Sequence, residues 1–526
     1  AENGGGALSH AHNPVTGQLI VGQPNANRVT LLGNYFPRLL ARRGEAVPGS
    51  PDVFFAKAGG VAVNAPGVAL FETTLSGAGA ANGRNRGLFF MPQGLPGPPW
   101  FLFQSGIVLN SPGSGLPDNA QVTGFFGPLT QHLGRGVFQI TLKGTGLNSL
   151  NNRMLLADNN PGFALLWRTG VPAGLLGGGD MRSFREVLQN PLNDQILLGY
   201  QLRVSAATGV NGGNDTGLLT LRHDGSVIGS TEAREGQPAF GGGIFGQFTG
   251  RAAVSPFSNM VHFATLVKNG GSSVQGIFEM QENGSNGQKV AATGDAAPGA
   301  PPGLFSSFPA LGSQNGQALF KGLLKGVPSI TNEGLWRGST LLLREGDGIT
   351  SLPGVQVSSI VRFWPAGTGQ VVAQVKLKGA GVNSGNNQAL VLRQLDGQHL
   401  VLARTGESLP GIGAAAIRSI VAVEVNPLNG AYALLTTLKG SPSSRNLALW
   451  GGRTVLGDDT TLQALRLPVL QLRKGDTYGT PQKPLGVVRS ISLKPVVDRT
   501  CAGGRGLAQV VGFIGDVGSP AFCRVP

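Results

Sequence analysis

Cysteine is nearly missing from this chain of 526 residues, with Cys501 and Cys523 the only two, which excludes a disulfide-stapled scaffold and an all-cysteine zinc site. Charge is also scarce. Charged residues make up 13%, where globular domains average about a quarter, so long helices with solvated charged faces are not expected. Aromatic residues are 6%, mostly Phe at core-like strand positions, which argues against specific nucleic-acid readout by stacking. No run of about 18 apolar residues occurs, so no membrane-spanning helix is expected. The chain also lacks a Gly-x-Ser-x-Gly elbow, a phosphate loop and Asp-x-Asp calcium loops.

What is abundant is glycine, 85 residues, with 34 prolines. A chain this rich in turn formers would be disordered but for its 40% hydrophobic residues, which fall in short regular runs and supply a core. The balance of 41 Lys+Arg against 27 Asp+Glu gives a net charge of +14, which favours contact with polyanions. The basic residues form no long run, and a solvated basic surface explains most of them.

Aligned against itself, the chain shows a unit of about 60 residues. Its first landmark is an apolar strand ending in a charged turn, as in Leu40-Ala-Arg-Arg-Gly-Glu45, Leu343-Arg-Glu-Gly-Asp347 and Leu402-Ala-Arg-Thr-Gly-Glu407. The turn glycines stand at 44, 106, 170, 236, 294, 346, 406 and 475. The second landmark is a short strand running into a turn (Asn190-Pro-Leu-Asn-Asp194, Asn426-Pro-Leu-Asn-Gly430). The third is an alternating strand (Ala69–Leu75, Val371–Leu377), and the fourth a closing strand (Gly334-Leu-Trp-Arg337, Leu447-Ala-Leu-Trp450). Gly- and Asn-rich links such as Gly209–Asn214 and Gly379–Asn387 suit residues at positive φ.

Four antiparallel strands repeated eight times must bury both faces of every sheet, and radial stacking does so. The expected fold is therefore all-β, a β-propeller of about eight four-stranded blades, or seven blades plus an extra terminal β unit. Residues 1–37 form an N-terminal segment whose Asn13–Leu32 resembles half a unit and offers ring closure. Residues 38–526 form one propeller domain with units starting near 38, 100, 162, 226, 287, 339, 398 and 468. Met181–Asn190 and Thr460–Arg473 are the two places where a turn or two of helix is expected.

Candidate chemistry is sparse. His10-Ala-His12 offers a terminal pair for a metal, though a solvated, disordered end explains it better, and His132, His223, His262 and His399 share no motif and read as surface or satisfied interior histidines. Glu45, Glu235, Asp295, Asp347, Glu407 and Asp476 recur beside the turn glycines. They form either a carboxylate ring open to Ca²⁺ or a cationic ligand, or caps and arginine partners within each turn, which repetition favours. Arg42, Arg43, Arg344, Arg473 and Lys474 are the candidate polyanion contacts. No catalytic residue, cofactor-binding residue or metal ligand set is identified.

The units read Arg-x-Gly-(Glu/Asp), then Asn-x-x-Gly, then Gly-Leu-Trp, and this pattern resembles tandem-repeat proteins exported by many bacteria. The resemblance covers nearly the whole chain and implies an extracytoplasmic propeller. Export agrees with the start Ala1-Glu2-Asn3, as left by signal peptidase, and then predicts a Cys501–Cys523 disulfide. The expected function is a non-enzymatic binding or structural scaffold, secreted, periplasmic or at the cell surface, that presents loops to a protein, a glycan or a surface assembly. The alternatives are a polysaccharide hydrolase or lyase with its site in the central channel, and an electrostatic binder of acidic polymers.

Overall fold

The computed structural model describes residues 9–12, 19–22, 29–31, 38–63, 69–91, 99–109, 116–130, 136–158, 163–454, 467–480, 483–494, 509–516 and 519–524, without 177, 191, 192, 194, 229–232, 257, 368 and 429. Among them are strands and short 3₁₀ turns only. The alternating runs read from the sequence become antiparallel strands, and the strands form a propeller. Seven blades are built from consecutive strands between Ala46 and Arg473. Blade two shows the plan, with Gln121–Thr130, Gly136–Lys143, Arg153–Asp158 and Phe163–Arg168 side by side in chain order.

A terminal β unit joins the two ends of the chain. Its last strand, Ser519–Arg524, pairs with Arg38–Arg42. The unit also touches blade seven and the innermost strand of blade one, and so closes the ring. The half unit expected to do this does something else: Ser9–His12, Leu19–Gly22 and Val29–Leu31 pair with one another in a separate sheet.

The sequence unit and the blade are offset by one strand. The Leu-x-Arg strand that opens each unit is the outermost strand of the preceding blade, as Thr340–Arg344 is of blade five and His399–Arg404 of blade six. The next strand starts a new blade. These first strands neighbour one another around the ring: Gln121–Thr130 lies against Ser50–Val63, and Met181–Gln189 and Leu304–Gln314 lie against Ile244–Val254. They are therefore innermost and line the axis. The cores lie between blades: Leu155 and Leu166 of blade two pack on Met181 and Phe184 of blade three, and Leu390 and Leu402 of blade six on Ile417 and Ile420 of blade seven.

One expectation is overturned. Met181–Gln189 is not helical but the innermost strand of blade three. Its ladder slips at Met181/Ser183 and again at Phe184/Glu186, and each bulge sets two residues opposite one. Buried Met181, Phe184 and Val187 therefore recur every third residue, a spacing that imitates a helix. Blades six and seven repeat the device at Val357/Ser359 and Ile360/Arg362, and at Ile417/Ser419 and Ile420/Ala422. Residues 460–466 lie outside the described residues, and Val469–Arg473 is strand.

The Gly-Leu-Trp motif has a packing reason. A Cβ on Gly334 would come within 2.4 Å of the Trp336 ring, so only glycine lets the indole lie across the strand.

Candidate functional site

The charged turns are the joints between blades. All eight turn glycines adopt positive φ, from 74° to 96°, a region open to glycine at little cost. Each donates its N–H to a carbonyl on the next innermost strand at 2.7–2.9 Å, as Gly346 does to Val357 and Gly406 to Ile417. The accepting residue donates back across the turn at 2.8–3.1 Å.

The recurrent arginine braces a loop. Nε of Arg168, Arg234, Arg344, Arg404 and Arg473 donates to the carbonyls of Asn151, Asn214, Thr331, Asn386 and Arg445, at 2.9–3.2 Å. Each acceptor ends the link between the second and third strands of its blade. In blades two, three and six that link reads Gly-x-Asn-x-x-Asn and carries one bonding pattern. The first Asn donates its N–H to the second Asn side chain at 2.7 Å (Asn148/Asn151, Asn211/Asn214, Asn383/Asn386). The second donates Nδ2 to the link glycine carbonyl at 2.9–3.2 Å. The sequence shows these links as Gly- and Asn-rich turns, and the Asn-x-x-Asn spacing is the signal for this pairing.

Of the candidate polyanion contacts, Arg344 and Arg473 direct Nε into the fold as above, and Lys474 donates to the Ser443 carbonyl at 2.7 Å. Arg43 is exposed, and Arg42 pairs through its backbone with Ala521. The carboxylates beside the glycines also meet near neighbours. Asp295 and Asp347 accept the N–H groups of Ala292 and Arg344 at 2.9 and 2.6 Å, Glu235 accepts from Thr216 Oγ1 at 2.7 Å, and Glu407 pairs with Arg404 at 3.4 Å. Among the described residues no three His, Cys, Asp or Glu side chains gather as a metal site would require.

His223 lies 2.8 Å from Gln189, His262 3.3 Å from Glu279 and His399 3.2 Å from the Gly348 carbonyl, in three different blades. His10 and His12 lie in the strand Ser9–His12. His132 and Cys501 lie outside the described residues, and with Cys501 the expected disulfide.

The central channel is different, because there the repeat breaks down. An innermost strand has its two faces against neighbouring blades and one edge against its own second strand, so a mid-strand residue left exposed faces the channel. Phe126, Val361 and Val421 are 45%, 44% and 51% exposed in this way. Val361 and Val421 occupy the second bulge of blades six and seven, and blade three has Arg185 there, also exposed. At the first bulge the exposed residues are Thr123 in blade two, Arg182 in blade three and Arg418 in blade seven. Exposed Arg362 follows Val361.

Glu424 stands on the innermost strand of blade seven. Half-buried in the fold, its carboxyl is pushed up to about 8 by desolvation, against the pull of the Arg362 charge. A carboxyl raised above its unfolded value of about 4.3 binds its proton more tightly in the folded chain, so stability falls as pH climbs from about 4 to 8. Glu424→Gln removes that loss. The variant is expected to match the parent at pH 4 and to exceed it by about 1–3 kcal/mol at pH 9, read from urea denaturation at both pH values. An equal difference at both would assign the effect to packing instead.

Residues 37–340 match a family described as "Family of unknown function (DUF7453)". No curated protein matches the sequence. Similar solved structures include the Pyrococcus horikoshii acylaminoacyl peptidase, at 10% identity and TM-score 0.39, covering 80% of this chain and 53% of the peptidase. Prolyl oligopeptidase B of Galerina marginata gives 10%, 0.40, 79% and 51%. The β-propeller domain of the Trilobed protease of Pyrococcus furiosus, described as having an open velcro topology, gives 9%, 0.38, 80% and 99%. The chain thus spans about half the length of the first two.

Proposed function

This chain belongs to DUF7453, a family of unknown function, and from that footing we propose that it is a non-enzymatic, extracytoplasmic binding scaffold that presents propeller loops to a partner protein or glycan. One observation carries the reading. The Gly-x-Asn-x-x-Asn links of blades two, three and six are exposed at Asn148, Asn211 and Asn383 yet are held in one conformation by their own asparagines and by an arginine from the adjoining strand. A surface held in shape before binding loses little entropy on binding. The reading invokes no cofactor, and the polypeptide serves as a rigid frame.

The test is capture from the envelope and medium of the source cells with the immobilised protein, washed at low and then high salt. A variant carrying Asn151→Gly, Asn214→Gly and Asn386→Gly runs in parallel. A defined partner that survives high salt on the parent and is lost from the variant is the expected result. Retention of salt-labile acidic polymer alone, or equal capture by both, would overturn the reading.

A further inference from the structure

We propose that the central channel is a second, separate binding site, one that takes an acidic oligosaccharide carrying several carboxylates or sulfates. Its motivation is the departure from repeat symmetry. Positions that serve the fold repeat from blade to blade: the turn glycines and the bulges do so throughout, and the bracing arginines in five of the seven blades. At the second bulge blades six and seven hold Val361 and Val421 and blades three and four hold Arg185 and Arg251, while Arg182 and Arg418 stand at a level where blades two and five carry Thr123 and Ser306. Arg185 and Arg251 each brace the next blade, at the Phe248 and Phe308 carbonyls, whereas Arg182, Arg362 and Arg418 make no such bond among the described residues.

Their placement forms a clamp. The ring order runs from blade one to blade seven and then to the terminal unit, so blade three, with Arg182 and Arg185, stands across the axis from blade seven, with Arg418, and near-opposite blade six, with Arg362. Arg185 spends one Nη1 hydrogen bond on the Phe248 carbonyl, at 2.9 Å, which fixes the guanidinium in the wall. Its remaining N–H groups have no partner among the described residues, and a guanidinium carries five donors in a planar fork suited to carboxylate and sulfate. Low-dielectric walls concentrate the field of one sign inside such a cleft.

The apolar residues at the same depth, Phe126, Pro309, Val361 and Val421, give the C–H faces of sugar rings something to rest on. Acids are few on the innermost strands: Glu186 accepts the Ala252 N–H at 3.1 Å, and Glu424 feels the Arg362 charge. A ligand of alternating anionic groups and pyranose faces fits this lining better than a compact inorganic ion does.

Calorimetric titration with oligogalacturonate, with a dextran sulfate oligomer and with neutral dextran distinguishes the carboxylate from the sulfate source. Two doubly substituted proteins lose the same charge, Arg362→Gln with Arg418→Gln in the channel and Lys325→Gln with Lys439→Gln on exposed strand ends. The expected result is one site per chain for at least one acidic oligomer, none for neutral dextran, about tenfold weaker binding in the arginine pair, and less than about a twofold change in the lysine pair. Equal weakening in both pairs, several sites per chain or no binding would overturn the proposal. Circular dichroism and the thermal midpoint establish that each variant is folded, and Arg182→Gln provides an independent channel variant if the pair is not. The loop reading stands or falls separately, since these variants leave Asn151, Asn214 and Asn386 intact.

Discussion

Deleting residues 1–42 is expected to lower the thermal midpoint by about 3–5 °C, through a loss of roughly 3–5 kcal/mol, whereas deleting residues 1–34 leaves the midpoint within about 1 °C of the parent. The difference is the strand Arg38–Arg42, which completes the terminal unit by pairing with Ser519–Arg524. Without it Ser519–Arg524 loses this ladder partner, and Ala41, which is 2% exposed and packs in the core of blade one, is lost from a filled space. Joining residue 524 to residue 38 by a linker, with new ends between the exposed Gly270 and Gly271, makes the closing pair local and is expected to raise the midpoint above the parent. Equal midpoints for the two deletions, by scanning calorimetry, would show that the strand does not close the ring.

Trp336→Ala is expected to cost about 3–5 kcal/mol. The indole is fully buried, its ring lies 5.0 Å from that of Phe305, and its Nε1 donates to the Pro298 carbonyl at 2.9 Å. Truncation therefore leaves a large cavity and also an acceptor without its donor. Because Gly322 and Gly334 face one another across the ladder and give the ring its room, no side chain nearby is placed to fill the space. Trp336→Phe keeps most of the volume and loses the donor, with an expected cost of about 1–2 kcal/mol. Urea denaturation followed by far-ultraviolet circular dichroism measures both. A cost below about 1 kcal/mol for the alanine variant would mean that the core between blades four and five collapses around the gap.

The same residues show where reading from sequence succeeds. Gly44 to Gly475 announced the joints because positive φ is a demand that one residue meets locally, and Gly334-Leu-Trp336 announced a strand because bulk and smallness alternate in plain view. The innermost strands resisted because two bulges turn a period of two into a period of three, so Met181, Phe184 and Val187 imitated a helix. Arg344 and Arg473 illustrate a second limit. Their charge suggested solvent and polyanions, while their Nε groups serve carbonyls of a loop more than ten positions back.

Chain-local chemistry, then, determined the strands, the turns, their number and the all-β character, since glycine conformation, alternation and asparagine turns act over a few residues. Only the tertiary structure decided which blade each strand joins, that Arg38–Arg42 completes the sheet of Ser519–Arg524, and that Arg185, Arg362 and Arg418 face a common channel. Those facts depend on closing a ring, which brings together residues hundreds of positions apart, and no local pattern encodes which of many equivalent positions will turn toward the axis.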